Sequence, residues 1–332
     1  MKVLITGVAG LFGVHFSKYL LDNGYDVIGL DNLSGGYVEF VDERLLDRRQ
    51  FHEIDINNNL NDIFNHYKPE VVYHFAAYAA EGLSPFIRNF NYTNNILGSA
   101  NIINNCINHD VRKIIFTSSM GVYGSKNTAP YTEDQVPCPE DPYGIAKYAI
   151  EMDLKAAYNM FGLEYTIIRP HNVVGIYQNV WDKYRNVIGI WIRKVINNEP
   201  ITVFGDGLQR RAFSDIDYYM KPFESVITNY NGEIFNIGAD EDYSLLEIAE
   251  MVASISNKLG YNDEIVHLET RDEVKIAYSN HDKAKSWIQF EDKTNIEDLI
   301  YKMFKWVEKE PKREVKFIDY EVNKKMYSYW KK

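Results

Sequence analysis

The stretch Lys2-Val3-Leu4-Ile5-Thr6-Gly7-Val8-Ala9-Gly10-Leu11-Phe12-Gly13 decides the fold. An apolar run reads as a buried strand, glycines follow at 7, 10 and 13, and residues 13–23 carry a helical pattern. Glycines between a strand and a helix let backbone N–H groups and the helix N-terminus approach a pyrophosphate. A second strand, residues 26–30, runs into Asp31, whose carboxylate can accept hydrogen bonds from an adenosine ribose and repel a 2′-phosphate. The expected cofactor is therefore NAD rather than NADP, held by Gly7, Gly10, Leu11, Phe12, Gly13, Asp31 and Asn32.

The alternation continues outward from this turn. Apolar runs at 50–54, 71–75, 113–117 and 165–169 read as strands, with helical patterns at 92–108 and 143–161 between the later ones. Strands separated by helices imply parallel pairing through right-handed crossovers. The expected fold class is α/β, a Rossmann-type doubly wound parallel sheet with a smaller C-terminal α/β lobe. Beyond Arg169 the pattern loosens into Gly-, Asn- and Asp-rich loops, broken by helices at 244–259 and 295–307. We divide the chain into an NAD-binding domain with the catalytic residues (1–172), a mainly substrate-binding lobe with some interleaving (173–310), and a C-terminal extension (311–332). No Pro/Gly/Ser linker separates the lobes, which implies one shared cleft.

At 332 residues the chain can bury a large core. A net charge of −11 argues against nucleic acid, whose phosphates need a basic face. No apolar run reaches about 18 residues, a strand begins at the second residue, and Cys106 and Cys138 are too few for a disulfide framework or a zinc site. A cytoplasmic protein with no membrane and no metal is expected. The basic end of the chain closes on Tyr327-Ser328-Tyr329-Trp330-Lys331-Lys332, read as a solvated extension that lays its aromatics on the body.

Chemistry is carried by Tyr143-Gly144-Ile145-Ala146-Lys147 and the Ser118-Ser119 pair. On a helix, Tyr143 and Lys147 are i,i+4 neighbours, so the ammonium is expected beneath the phenol, favouring its ionised form. A free tyrosine titrates near pH 10, and bringing it near 7 takes about 4 kcal/mol, which Lys147 and a cationic nicotinamide together can supply. Ser119 completes a trio that orients a substrate hydroxyl.

Further markers are Asp55-Ile56, His74-Phe75-Ala76-Ala77, Val122-Tyr123-Gly124 after the serines, Arg169 with Asn172-Val173, the run from Phe204 to Arg211, and Arg271. With the glycine turn and Tyr143/Lys147, they give the chain a resemblance, over roughly residues 1–284, to the extended short-chain dehydrogenase/reductases, in particular the UDP-glucose 4-epimerase-like nucleotide-sugar epimerases and dehydratases. The resemblance implies that Asp55 and Ile56 bracket the adenine, that Phe75, Ala76 and Ala77 line the cofactor, and that Asn94 lies near its nicotinamide half. It also implies a nucleotide-diphosphate sugar as partner, with Ser119, Met120, His171, Asn172 and Asn186 near the sugar and diphosphate. Arg211 and Arg271 would clamp the diphosphate, a role suited to guanidinium forks, and Tyr278 would border the sugar's 2-substituent. Helices 92–108 and 143–161 match those that pair such proteins into homodimers.

Dehydratases of that superfamily carry an Asp-Glu pair directly after the Ser/Thr; here Met120 and Gly121 follow Ser119. Gly121 also lacks the cysteine of 3,5-epimerases and the glutamate of decarboxylases. The expected reaction is 4-epimerisation, most simply of UDP-glucose and UDP-galactose. Tyr143 takes the C4 hydroxyl proton, hydride passes to NAD, the 4-keto sugar turns over, and hydride returns to its other face. Met120 and Pro170-His171 depart from the usual pattern, which leaves open a 4-dehydrogenase that releases a 4-keto GDP-heptose or GDP-hexose. A non-catalytic NAD-binding sensor is the reading of another class; retention of Ser119, Tyr143 and Lys147 argues against it. His74 is expected to be a core histidine; Glu81, in the loop after the fourth strand, can touch the sugar or be solvated, and the second reading is preferred.

Overall fold

Strand β1 (Lys2–Thr6) is buried from Val3 onward, because it runs through the middle of a parallel sheet covered on both faces. The computed structural model describes the chain apart from residues 262–263, 272, 316–317 and 331–332. The remaining strands of the central sheet are β2 (Asp26–Asp31), β3 (Phe51–Glu53), β4 (Val71–His74), β5 (Lys113–Thr117), β6 (Glu164–Pro170) and β7 (Glu233–Ile237), and their spatial order is β7-β6-β5-β4-β1-β2-β3. All neighbours pair in parallel. The side-chain period of two sends Val3 and Ile5 to one face, with Phe16 and Leu20 of α1 (Leu11–Asp22). It sends Leu4 to the other, with Ile102 and Ile103 of α2 (Gly98–Asn108) and Ile150 and Leu154 of α3 (Pro142–Phe161). Strand order reverses between β1 and β4, and that reversal opens a crevice at the carboxyl edge of the sheet.

Strand β7 was not legible in the sequence. It falls within 173–310, yet it returns to the first sheet, with Glu233 opposite Thr166 and Ile237 opposite Pro170. A buried asparagine interrupts its apolar pattern: Asn236 accepts from Tyr123 Oη at 2.8 Å and donates to the Tyr131 carbonyl at 3.2 Å. The helix expected at 92–108 starts earlier, at Arg88, and passes through a π turn at Thr93–Leu97 before α2. The second lobe is built on α4 (Val187–Ile196), α5 (Leu245–Lys258) and α6 (Ile296–Val307), around Trp191, Ile248, Val252, Leu299 and Met303. Ser244 and Glu247 close a reciprocal capping box on α5. A small sheet in the order Asp242–Ser244, Arg210–Ala212, Ile276–Ala277 carries Arg211 to the crevice. Among the described residues no helix is long and apolar enough to cross a membrane.

Candidate active site

The crevice is a cavity of about 1490 Å³ between the carboxyl edge of the sheet and the second lobe. At one end lies the glycine turn. Gly7 has φ +73°, and a Cβ there would sit 2.8 Å from the Ala76 backbone nitrogen. The space over the turn thus depends on absent side chains. A side chain at Gly13 would overlap the Gly7 carbonyl, so Gly13 sets the approach of α1 and does not itself line the cavity. Asp31 Oδ2 accepts from Ala9 N at 2.9 Å and Oδ1 from Leu33 N at 2.8 Å, which holds the carboxylate at the tip of β2 facing the crevice; burial pushes its pKa up. Leu11, Phe12, Asn32, Ile56, Phe75, Ala76, Ala77 and Asn94 share the wall. Asp55 does not. Its carboxylate accepts from Asn32 Nδ2 and from Asn57 N, both at 2.8 Å, beside the wall residues Asn32 and Ile56.

Ser119, Tyr143 and Lys147 converge on the same cavity. Ser119 follows β5 and caps a short turn by accepting from Gly121 N at 3.0 Å. Tyr143 is the second residue of α3, whose N-cap Asp141 accepts from Tyr143 N at 2.8 Å and Gly144 N at 3.0 Å. Burial raises the Tyr143 pKa, and a hydrogen bond with Ser119 opposes that rise. Lys147 comes to the face of the Tyr143 ring, as the i,i+4 spacing implies. Its Nζ donates to the Thr117 carbonyl at 2.7 Å and stands 4.8 Å from the Phe116 ring centre and 5.9 Å from that of Tyr143. Burial pushes its pKa down to about 7. Beside it, the buried Thr117 Oγ1 has no hydrogen-bond partner among the described residues.

Behind the trio runs a buried network. Arg169 grips Glu151 through Nε (2.9 Å) and Nη2 (2.6 Å), Ser118 donates to the same carboxylate at 2.5 Å, and Arg169 Nη1 donates to Tyr123 Oη at 2.8 Å. The network thus holds Ser118, the residue before Ser119.

At the other end stand Met120, His171, Asn172, Asn186, Arg211 and Arg271. Asn172 and Asn186 adopt positive φ (41° and 56°), a region asparagine tolerates, and both amides are bonded to backbone carbonyls. The His171 ring is turned into the protein, 2.9 Å from His281 Nε2 and 3.4 Å from the Ala212 carbonyl, and burial pushes its pKa down to about 3; it is not free to bind a sugar through its ring. Tyr278 does not line the cavity, whereas Ala277 beside it does. His74 is the core histidine expected, held by Thr6 at 2.7 Å and Ser99 at 2.8 Å.

Arg185 escaped the sequence, and two further segments join the cavity wall. Arg185 donates to Asp182 at 2.8 Å and lies over the Tyr78 ring, while its buried Nη2 has no partner among the described residues and points past Gly35. The C-terminal extension packs Met326 and Trp330 against Leu83 and Phe86, and its Tyr329 and Trp330 join Phe204 in a cage around Arg271. Arg271 Nε donates to Tyr329 Oη, so the extension forms part of the cavity wall. Glu81 lines the cavity beside the trio, on the side of the alternative in which it faces the sugar.

Residues 3–238 match the model of the NAD dependent epimerase/dehydratase family. The chain belongs to that family. Its members' cofactor is NAD, and the glycine turn, the Asp31 carboxylate and the unpartnered Thr117 Oγ1 and Arg185 Nη2 suit a dinucleotide. A UDP-glucose 4-epimerase from Mycolicibacterium smegmatis is 31% identical over 257 residues, 76% of this chain and 82% of the relative. The crystal structure of Thermotoga maritima UDP-glucose 4-epimerase with UDP-glucose superposes with a TM-score of 0.85 at 31% identity, covering 93% of this chain and 99% of that one. Bacillus cereus UDP-glucuronic acid 4-epimerase, in complex with UDP-glucuronic acid and NAD, gives 0.82 at 28% identity with the same coverages. As a family enzyme the chain is an NAD-dependent nucleotide-sugar epimerase.

Proposed function

We propose that this epimerase interconverts UDP-glucose and UDP-galactose. The observation that carries the reading is the convergence of Ser119, Tyr143 and Lys147 on one cavity with the glycine turn and Asp31. Bound NAD supplies a hydride acceptor and a cationic ring. Tyr143 then takes the C4 hydroxyl proton, with Ser119 orienting that hydroxyl and Lys147, tied to Thr117, adding positive potential from below. Gly7, Gly10, Leu11, Phe12, Asp31, Asn32, Ile56, Phe75, Ala76, Ala77 and Asn94 are proposed to hold the cofactor, and Asn172, Asn186, Arg211 and Arg271 the nucleotide sugar. Met120 and Gly121 bring no acid to the position after Ser119, which supports epimerisation over loss of water. The UDP-glucose 4-epimerases from M. smegmatis and T. maritima support the choice of sugar.

Incubation with UDP-glucose, followed by NMR, is expected to give UDP-galactose with no net change in NAD. A 4-keto product with accumulating NADH would move the protein to the dehydrogenase reading. We further propose a cytoplasmic homodimer. Leu97, Ile145 and Met152, on the helical segment leading into α2 and on α3, are exposed apolar side chains suited to pairing with a second copy. Sedimentation velocity tests the stoichiometry, and a monomer at assay concentrations would overturn it.

A further inference from the structure

Glu81 opens the short 3-10 segment Glu81–Phe86 that follows β4. A methyl group built on Gly121 would stand 3.4 Å from Ser119 Oγ, 3.9 Å from Tyr143 Cδ1 and 3.9 Å from Glu81 Oε2. All three groups therefore surround one point, and the missing side chain at 121 leaves that point open. In effect a carboxyl group reaches the space beyond Ser119 from a different segment of the chain. Glu81 is open to the cavity and its carboxylate accepts no hydrogen bond from the described residues. The protein crowded around that end of the cavity, together with Asp141, pushes its pKa up to about 7. Arg211 opposes the rise but is itself paired with Glu273 at 3.0 Å, and Glu273 adds to it. Tyr143 and Tyr131 also feel the charge of Glu81. Asp141 and Glu273 stand with Glu81 at this end of the cavity, facing Arg211, which is paired with Glu273, and Arg271, whose Nη1 is 3.8 Å from where a side chain at Gly82 would begin.

Resting on the 4-epimerase reading, we propose that Glu81 is the selector of the sugar subsite: its carboxyl group takes uncharged, hydroxylated sugars and turns away sugars that carry a carboxylate. A ring that must show both faces to one hydride carrier swings its C6 substituent to both sides of the pocket, so a C6 carboxylate meets Glu81 in one of the two orientations. Two carboxylates about 6 Å apart at an effective dielectric near 20 repel enough for roughly a hundredfold, and solvent screening reduces that to about tenfold or more. The penalty is full above about pH 7, where Glu81 is ionised, and relaxes as pH falls through that value and the carboxyl becomes neutral.

The test compares wild type with Glu81→Gln, using UDP-glucose and UDP-glucuronate at about pH 6 and about pH 8.5, on either side of the shifted ionisation. Calorimetric binding constants are measured alongside turnover. Wild type is expected to disfavour UDP-glucuronate at least tenfold more at the higher pH than at the lower. The Gln variant is expected to keep its NAD content and to lose both that preference and its pH dependence. A preference that Glu81→Gln leaves intact, or a wild type that favours UDP-glucuronate at the higher pH, overturns the proposal alone. Binding with the expected preference but no epimerisation would strike the reaction assignment and leave Glu81 standing. A protein that binds neither sugar nucleotide removes both.

Discussion

Replacing Glu151 with leucine isolates the buried network behind Ser119, the serine proposed to orient the substrate hydroxyl. Glu151 is 5% exposed and Arg169 1%, and the substitution leaves the Arg169 guanidinium buried without its partner. Breaking one side of such a pair costs about 3–5 kcal/mol. With about 2.1 cal/mol/K of unfolding entropy per residue, a 332-residue chain carries about 0.7 kcal/mol/K, so the midpoint should fall by about 6 °C. Ser118, the residue before Ser119, loses its acceptor at the same time. Turnover should fall about tenfold or more, since a misplacement of about 1 Å at the reacting centre can cost a hundredfold. Adding Arg169→Met separates the two effects. The double variant buries no unpaired charge and should recover the midpoint, but Ser118 still has no carboxylate, so turnover should stay low. Thermal unfolding by circular dichroism and the UDP-glucose assay read the two quantities. A single-variant loss under about 2 °C, or a double variant that recovers neither quantity, would refute the argument.

Tyr143→Phe is expected to keep the fold and bound NAD while turnover drops at least about a hundredfold; near wild-type turnover would show that the phenol is not the base. Arg185→Lys keeps the charge but loses the fork that carries the unpartnered Nη2. It should raise the NAD dissociation constant about tenfold, measured by calorimetry on stripped protein, and an unchanged constant would assign Arg185 to structure alone. Tyr278→Ser should leave the ratio of activities on plain and N-acetylated sugars unchanged, because that side chain lies outside the cavity; a shifted ratio would contradict the geometry. Burial pushes His74 and His171 down to about 3, below the ordinary value of 6.5. Their contribution is full above about pH 6.5 and is lost as pH falls toward 3, by roughly 2 kcal/mol each at about pH 5. Denaturant unfolding at about pH 7 and about pH 5 should record that loss, and equal stabilities would refute it.

The local chemistry of a strand, a glycine turn and a helix was legible because each is decided by residues close in sequence. The period-two burial of Val3, Leu4 and Ile5, the turn at Gly7 and the i,i+4 relation of Tyr143 and Lys147 all follow from one stretch of chain. Strand β7 did not read out, because the hydrogen bonds that satisfy Asn236 come from Tyr123 and Tyr131, more than a hundred residues away. Lys147 illustrates the limit of spacing: the helix brings it to the face of Tyr143, but the Thr117 carbonyl on β5 decides where its ammonium ends.

The sequence by itself determined the sheet's first half, the cofactor class and the Ser119/Tyr143/Lys147 set, since each rests on short-range periodicity or on backbone freedom at a turn. Only the tertiary structure decided which side chains face the cavity. Tyr278 lies outside it and the His171 ring turns away; Glu81, Arg185 and the Tyr329–Trp330 end of the chain turn in. The physical reason is that a cavity wall is assembled from segments far apart in sequence. Whether a given charge is solvated or held against a ligand depends on the low-dielectric surroundings those segments create together.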